Sequence, residues 1–225
     1  MSILAEPSEA PISPETEPNP LSVTAKSPAS GTAVWCSGPS WVFPVAPAEL
    51  PVPSREPGEL QRWAREHEGI PASGTCVNVD VRVLAAHAVT VDAVRVAVIR
   101  RRRAPAGTAA LLYDRSVAWM PNFLVADLDR APVVVRPAPG IDASGHRIPA
   151  LAFPHALAPG SSESWYIQAQ TAGFDCDWFA YLDWTSNARS GSIRIDDDGL
   201  PFRTAAIRRA TWASADPAAR KWSMF

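Results

Sequence analysis

Lysine is almost missing from this chain: of 21 basic residues only Lys26 and Lys221 are lysine, and the rest are arginine. Beside abundant Ala, Pro and Val, that excess reads as codon-level bias and carries little mechanistic weight by itself. Cysteine is scarce too. Cys36, Cys76 and Cys176 make an odd set, which fits buried thiols better than a disulfide framework. No CxxC or HxxxH pair occurs, so a structural zinc site is not expected. No apolar run approaches the roughly 18 residues of a membrane span. The N-terminal MSILAEPSEAPISPETEP has neither a basic n-region nor an apolar h-region, so no signal peptide is expected and the cytoplasm is the expected compartment. A net charge of −2 argues against a dedicated nucleic-acid binder, which shows a strong basic excess.

What is present is unevenly spread. Residues 1–60 hold seven acids against Lys26 and Arg55, leaving the remainder slightly basic, and 12 of the 23 prolines precede residue 60. Residues 1–32, rich in Pro, Ser, Glu and Thr, bury too little apolar surface to offset their ordering entropy and read as a disordered arm. Residues 33–59 stay proline-rich but carry Trp35, Trp41 and Phe43. They read as an extended linker pinned to a folded body by its aromatics, or as a docking motif for another protein. The first reading leads because large aromatics are costly to leave in water.

The segment 57-PGELQRWAREHEG-69 predicts a helix over 57–68, with Leu60, Trp63 and Ala64 on one face and charge elsewhere. From residue 74 the period becomes two. Val77, Val79, Val81 and Val83 alternate with polar residues, as a strand with one buried face does. In 89-VTVDAVRVAVIR-100 the apolar parity slips after Val91, which predicts a β-bulge near Asp92–Val94. Further short strands are expected at 111–113, 123–128, 133–136, 150–153 and 165–171, around Ile193 and Ile195, and at Phe202. In 173-GFDCDWFAYLDWTSNARSGSIRIDDDG-199, Cys176, Trp178, Ala180, Leu182 and Trp184 share one face; Asp177, Phe179, Tyr181 and Asp183 share the other. The whole predicts an all-β fold: an antiparallel β-sandwich over 60–206 with one peripheral helix. Residues 207–225 lack clear periodicity and read as a C-terminal tail, with Trp212 or Trp222 as possible anchors.

Three segments, WAREHEGIPASGT (63–75), DCDWFAYLDW (175–184) and GSIRIDDDGLPFRT (191–204), with the arm WVFPVAP (41–47), resemble an uncharacterised domain of actinobacterial, streptomycete-type proteins. In that family the domain sits C-terminal to a helix-turn-helix or a single membrane span. The resemblance implies an effector-like or sensory β module with no activity to carry over. This chain shows neither upstream element.

Chemistry-bearing groups are few. Asp175, Asp177, Asp196, Asp197 and Asp198 fall at strand ends that a 176–186/189–196 hairpin makes neighbours. That arrangement suits calcium, but Asp-Gly turn chemistry explains it more simply, and no EF-hand spacing is present. Asp142, Ser144 and His146 are triad residue types crowded into one loop, where a triad does not converge. Cys176 falls on the core face and reads as a structural thiol. Arg100, Arg101, Arg102 and Arg103 end a strand before a turn and read as a solvated loop, or as a contact for an anionic partner or a protein's acidic face. Phe179 and Tyr181 face away from the core, where the arm, the helix or a partner would cover them. The reading that results is a non-enzymatic interaction or ligand-sensing module without cofactor, its partner a protein. Its interaction candidates are Trp35, Trp41, Phe43, the four arginines, Phe179 and Tyr181. The alternatives are a carbohydrate- or calcium-dependent binding domain and an enzyme of unrecognised type. Oligomeric state is open.

Overall fold

A computed structural model describes residues 18–26, 41–54, 59–111, 122–142, 144–216, 218 and 220–224. Seventeen strands, one α-helix and one short 3-10 turn (Pro47–Glu49) lie within them. The first sheet has the order β1 (Leu21–Lys26), β4 (Gly74–Val83), β12 (Ser162–Gln170), β7 (Asn122–Asp127) and β8 (Val134–Ala138). The second runs β11 (His155–Leu157), β5 (Val89–Arg103), β13 (Phe174–Ser186) and β14 (Arg189–Ile195), with β15 (Phe202–Ala205) on the same edge of β13 as β14. These two sheets enclose the main core. Val77, Val79, Val81, Val83, Trp165 and Ile167 meet Val94, Val96, Trp178, Ala180 and Leu182 there. Each strand contributes alternate residues to this layer because successive side chains point to opposite faces. The fold is the expected β-sandwich. Its pairing is mostly antiparallel, with two parallel contacts, β12 on β7 and one in the third sheet.

The parity slip in β5 is resolved as expected. Asp183 pairs with Ala93 and Trp184 with Val91, so Asp92 is the extra residue of a bulge. A second irregularity makes Ile99 extra, between the Asp177–Arg100 and Trp178–Val98 pairs. Beyond it, Arg100–Arg103 continue as strand, paired with Phe174–Asp177. The arginine run is therefore sheet and not a solvated loop.

The third sheet, in the order β17 (Lys221–Met224), β16 (Ala210–Asp216), β6 (Gly107–Leu111), β2 (Trp41–Phe43) and β3 (Ile70–Pro71), supports helix α1 (Glu59–Glu66). Phe43, with no exposed surface, meets Trp63 edge-on at 4.9 Å, and Trp222 Nε1 donates to the Leu50 carbonyl (2.7 Å). Gly107 is obligatory here. Its φ is +149°, and a Cβ would stand 2.0 Å from the Phe43 carbonyl oxygen. A two-stranded ribbon, β9 (Gly140–Ile141) with β10 (Arg147–Ile148), completes the set.

Three expectations change. Leu21–Lys26, placed in a disordered arm, pairs along Asn78–Val83 as an edge strand. Its Leu-x-Val-x-Ala alternation is short and lies in a Pro/Ser/Glu-rich context that masks it. The tail from residue 207 supplies β16 and β17, because Ala210–Ser214 pair in parallel with Gly107–Leu111. The strand expected at 150–153 falls instead at His155–Leu157. Residues 57–58, Trp35, Cys36 and Tyr113 lie outside the described residues. Among the described residues no helix is long and apolar enough to cross a membrane.

Candidate functional site

β13 separates two environments. Its core-side residues Cys176, Trp178, Ala180 and Leu182 are fully buried. Burial pushes the Cys176 thiol up to about 11, which leaves it protonated and inert as a nucleophile at neutral pH. Its outer face carries a ladder of charge and aromatic rings. Asp175 is 3% exposed and lies between two forks. Arg203 donates from Nε (2.9 Å) and Nη2 (2.6 Å), Arg102 from Nε (2.9 Å) and Nη2 (3.2 Å). Arg102 also reaches both oxygens of Asp177, at 2.8 and 2.6 Å. Arg100 and Arg203 stand 3.7 Å from the Asp177 carboxylate. Burial acts to raise the Asp175 pKa. The hydrogen bonds from Arg203 and Arg102 outweigh it and hold the carboxyl below its ordinary range.

The other half of the ladder is more open. Arg95 forms a bidentate pair with Asp183 and lies 5.3 Å from the Tyr181 ring centre. Arg194 stacks 4.8 Å from the Phe179 ring and donates to Asp196 (2.8 Å). These arginines, and not the arm or the helix, shelter Phe179 and Tyr181. The arm aromatics Trp41 and Phe43 belong to the third sheet and its core, so Phe43 offers no surface to a partner.

Where the sandwich core ends, β5 and β13 run on. Arg101 pairs opposite Cys176 and Arg103 opposite Phe174, so Arg101 and Arg103 of β5 and Phe174 of β13 share the face of the buried cysteine. Arg101 ties the two sheets together, donating to the carbonyls of Leu128 (3.0 Å) and Arg130. Asp129 fixes the loop into β13 by accepting from Thr171 Oγ1 (2.6 Å), Ala172 N (2.7 Å) and Gly173 N (3.3 Å). Arg208 and Arg209 arrive on the turn between β15 and β16, closed by the Ala210 N–H on the Ile207 carbonyl. Arg209 donates to the Ala104 carbonyl (2.9 Å). β15 itself is anchored by a buried chain: Trp178 Nε1 donates to Thr204 Oγ1 (3.0 Å), which lies 2.6 Å from Thr75 Oγ1.

The outcome is a surface basin of about 540 Å³ lined by Arg101, Arg102, Arg103, Arg208, Arg209 and Phe174, with Ala104 and Gly173 between them. Among the described residues no carboxylate lines it. Arg102 is neutralised by Asp175 and Asp177. Arg101 and Arg209 are held by carbonyls, which fix their geometry and leave their charge. Arg103 and Arg208 have no carboxylate partner among the described residues. A smaller groove of about 270 Å³ on the first sheet, near Asp80 and Ser164, already satisfies its acid internally through Ser164 Oγ (2.5 Å) and Lys26 (3.6 Å).

The aspartates proposed as calcium ligands do not gather. β15, not the end of β14, lies beside Asp175 and Asp177, and both are occupied by arginine. Asp196 accepts from Gly199 N (2.8 Å), and Asp197 closes a tight turn with Leu200. Among the described residues no group of three acid, histidine or cysteine side chains is arranged to hold a metal. Asp142 Oδ1 accepts the backbone N–H groups of Ser144 and His146, both at 2.8 Å, so that loop is an Asx-type turn. Of the arginine run, Arg101, Arg102 and Arg103 line the basin and Arg100 does not. Phe174, Arg203, Arg208 and Arg209 were missed. The Arg208–Arg209 doublet after a strand was the only local signal, and nothing in it points to residues about a hundred positions earlier.

The arrangement defines a β-sandwich with a cationic end basin. The chain matches no protein-family model, no curated protein and no solved structure.

Proposed function

We propose that this chain is a non-enzymatic interaction or ligand-sensing module that takes an anionic partner into the basin at the end of the sandwich. One observation carries the reading: Arg101, Arg103, Arg208 and Arg209, from two separate chain segments, line one surface without a carboxylate partner among the described residues. Like charges repel, so such a cluster costs energy unless an anion occupies it. Guanidinium forks are suited to oxyanions, which they bind through paired N–H donors. Among the described residues its lining is guanidinium, one aromatic ring and two small residues, a set suited to holding an anion.

Calorimetric titration with a glutamate-rich peptide and with tripolyphosphate, each at low and at 0.5 M salt, tests the reading. At least one anion is expected to bind at low salt, to weaken at high salt, and to lose affinity by more than tenfold in an Arg103→Glu/Arg208→Glu variant. Absence of binding by every anion, or binding that the double variant leaves intact, would overturn it.

A further inference from the structure

The ligand class follows from charge count and from the one ring in the basin, and this step rests on the binding role proposed above. Four guanidinium charges, on Arg101, Arg103, Arg208 and Arg209, have no carboxylate partner among the described residues. A single carboxylate has two oxygens and one charge, too few to balance four guanidinium charges. A polyphosphate concentrates the required charge in a short chain, since each terminal phosphate brings roughly −1.5 to −2 and three acceptor oxygens. Beside the arginines stands Phe174, 39% exposed. Its backbone is fixed at both polar groups: its N–H donates to Thr171 Oγ1 (3.1 Å), and its carbonyl accepts from Ala206 N (2.8 Å). The backbone that carries the ring is therefore fixed at the basin wall, and part of the ring's surface stays open. Leaving a large apolar ring in water at a rigid position is unfavourable, and an aromatic face of this kind stacks planar groups. The basin volume of about 540 Å³ lies within the range of small-ligand sites.

We infer that the basin binds a nucleoside polyphosphate, with the phosphates on Arg101, Arg103, Arg208 and Arg209 and the base on the Phe174 ring. Recognition is of charge density and a planar ring, so the base identity is read weakly. Arg102, neutralised by two aspartates, positions the strand and is not a phosphate ligand.

The test uses the full chain and four probes by calorimetry: ATP, tripolyphosphate, adenosine and a glutamate-rich peptide. ATP is expected to bind roughly tenfold more tightly than tripolyphosphate, the stacking contribution, and adenosine alone weakly. Phe174→Ala should bring ATP down to the tripolyphosphate affinity and leave tripolyphosphate unchanged. Phe174→Trp should preserve the ATP preference and show ring quenching on binding. Arg103→Ala with Arg208→Ala should weaken both phosphates by more than tenfold. Melting temperature checks that each variant is folded. Equal affinity for ATP and tripolyphosphate, or an ATP preference that survives Phe174→Ala, would overturn the stacking assignment. Binding of the acidic peptide without either phosphate would overturn the ligand class and leave the anion-binding role standing. Failure of all four probes would remove both.

Discussion

The two halves of β13 present the same residue types on their outer face and put them to different use. In the half beside β14, each arginine has one carboxylate and one ring: Arg95 with Asp183 and Tyr181, Arg194 with Asp196 and Phe179. In the half beside β15, Asp175 and Asp177 are shared among Arg100, Arg102 and Arg203, and Asp175 is buried. The open pairs are screened by water and contribute little. The buried cluster has exchanged hydration for charge-assisted hydrogen bonds, and losing one member strands the others. A few ångströms further along, arginines with carbonyl partners or none make the basin. Burial and the identity of the partner, more than residue type, decide whether an arginine is structural or available to a ligand.

The largest break in this comparison is Asp175→Ala. It removes the acceptor that Arg102 and Arg203 share, while Arg102 keeps Asp177 and both guanidiniums stay partly solvated. The expected cost is about 2–3 kcal/mol, read as a shift in the urea midpoint. A loss below about 1 kcal/mol would place the buried cluster in the same class as the open pairs. Gly191→Ala comes next. A Cβ there would meet Trp184 Cζ2 at 2.6 Å, and the displaced indole is expected to cost about 1–3 kcal/mol, measured by the same midpoint. Asp183→Ala should cost about 1 kcal/mol or less, since the Arg95 side chain is 55% exposed.

Acidification sharpens the same contrast. The folded Asp175 carboxyl titrates below its ordinary range. Its stabilising contribution is therefore complete above the ordinary aspartate pKa of about 4 and is lost as the pH falls through the lower folded value. Asp183, lowered by the hydrogen bond from Arg95, titrates with the same sign. Melting temperature against pH should drop below about pH 4, and the drop should shrink in Asp175→Asn. The smallest effect is predicted at the basin: Arg103→Ala/Arg208→Ala should change stability by no more than about 0.5 kcal/mol while changing anion affinity. A large loss of stability would assign these two arginines to the fold.

Much of this architecture was legible in the chain. The valine alternation of β4, the bulge at Asp92, the two faces of β13 and the apolar face of α1 are local periodicities, and each strand's burial followed from them. The strand Leu21–Lys26 was hidden by brevity and composition. β16 was hidden because its pairing with β6 joins residues about a hundred apart, and β17 because its only strand partner among the described residues is β16. The site was the least legible part. The Arg100–Arg103 run and the Asp175–Asp177 pair were both visible, one as a charged run and the other as turn acids or metal ligands, but their pairing was not.

By itself, the sequence determined which residues are buried and hence that the chain forms a β-sandwich, because side-chain period two and the transfer of apolar surface from water act within a strand. Only the tertiary structure decided that β5 and β15 flank the same end of β13. That choice neutralises Arg102 and Arg203 on two aspartates and brings Arg208 and Arg209 to Arg101 and Arg103. Charge pairing depends on which strands become neighbours and in which register, and no periodicity within one strand specifies its neighbour.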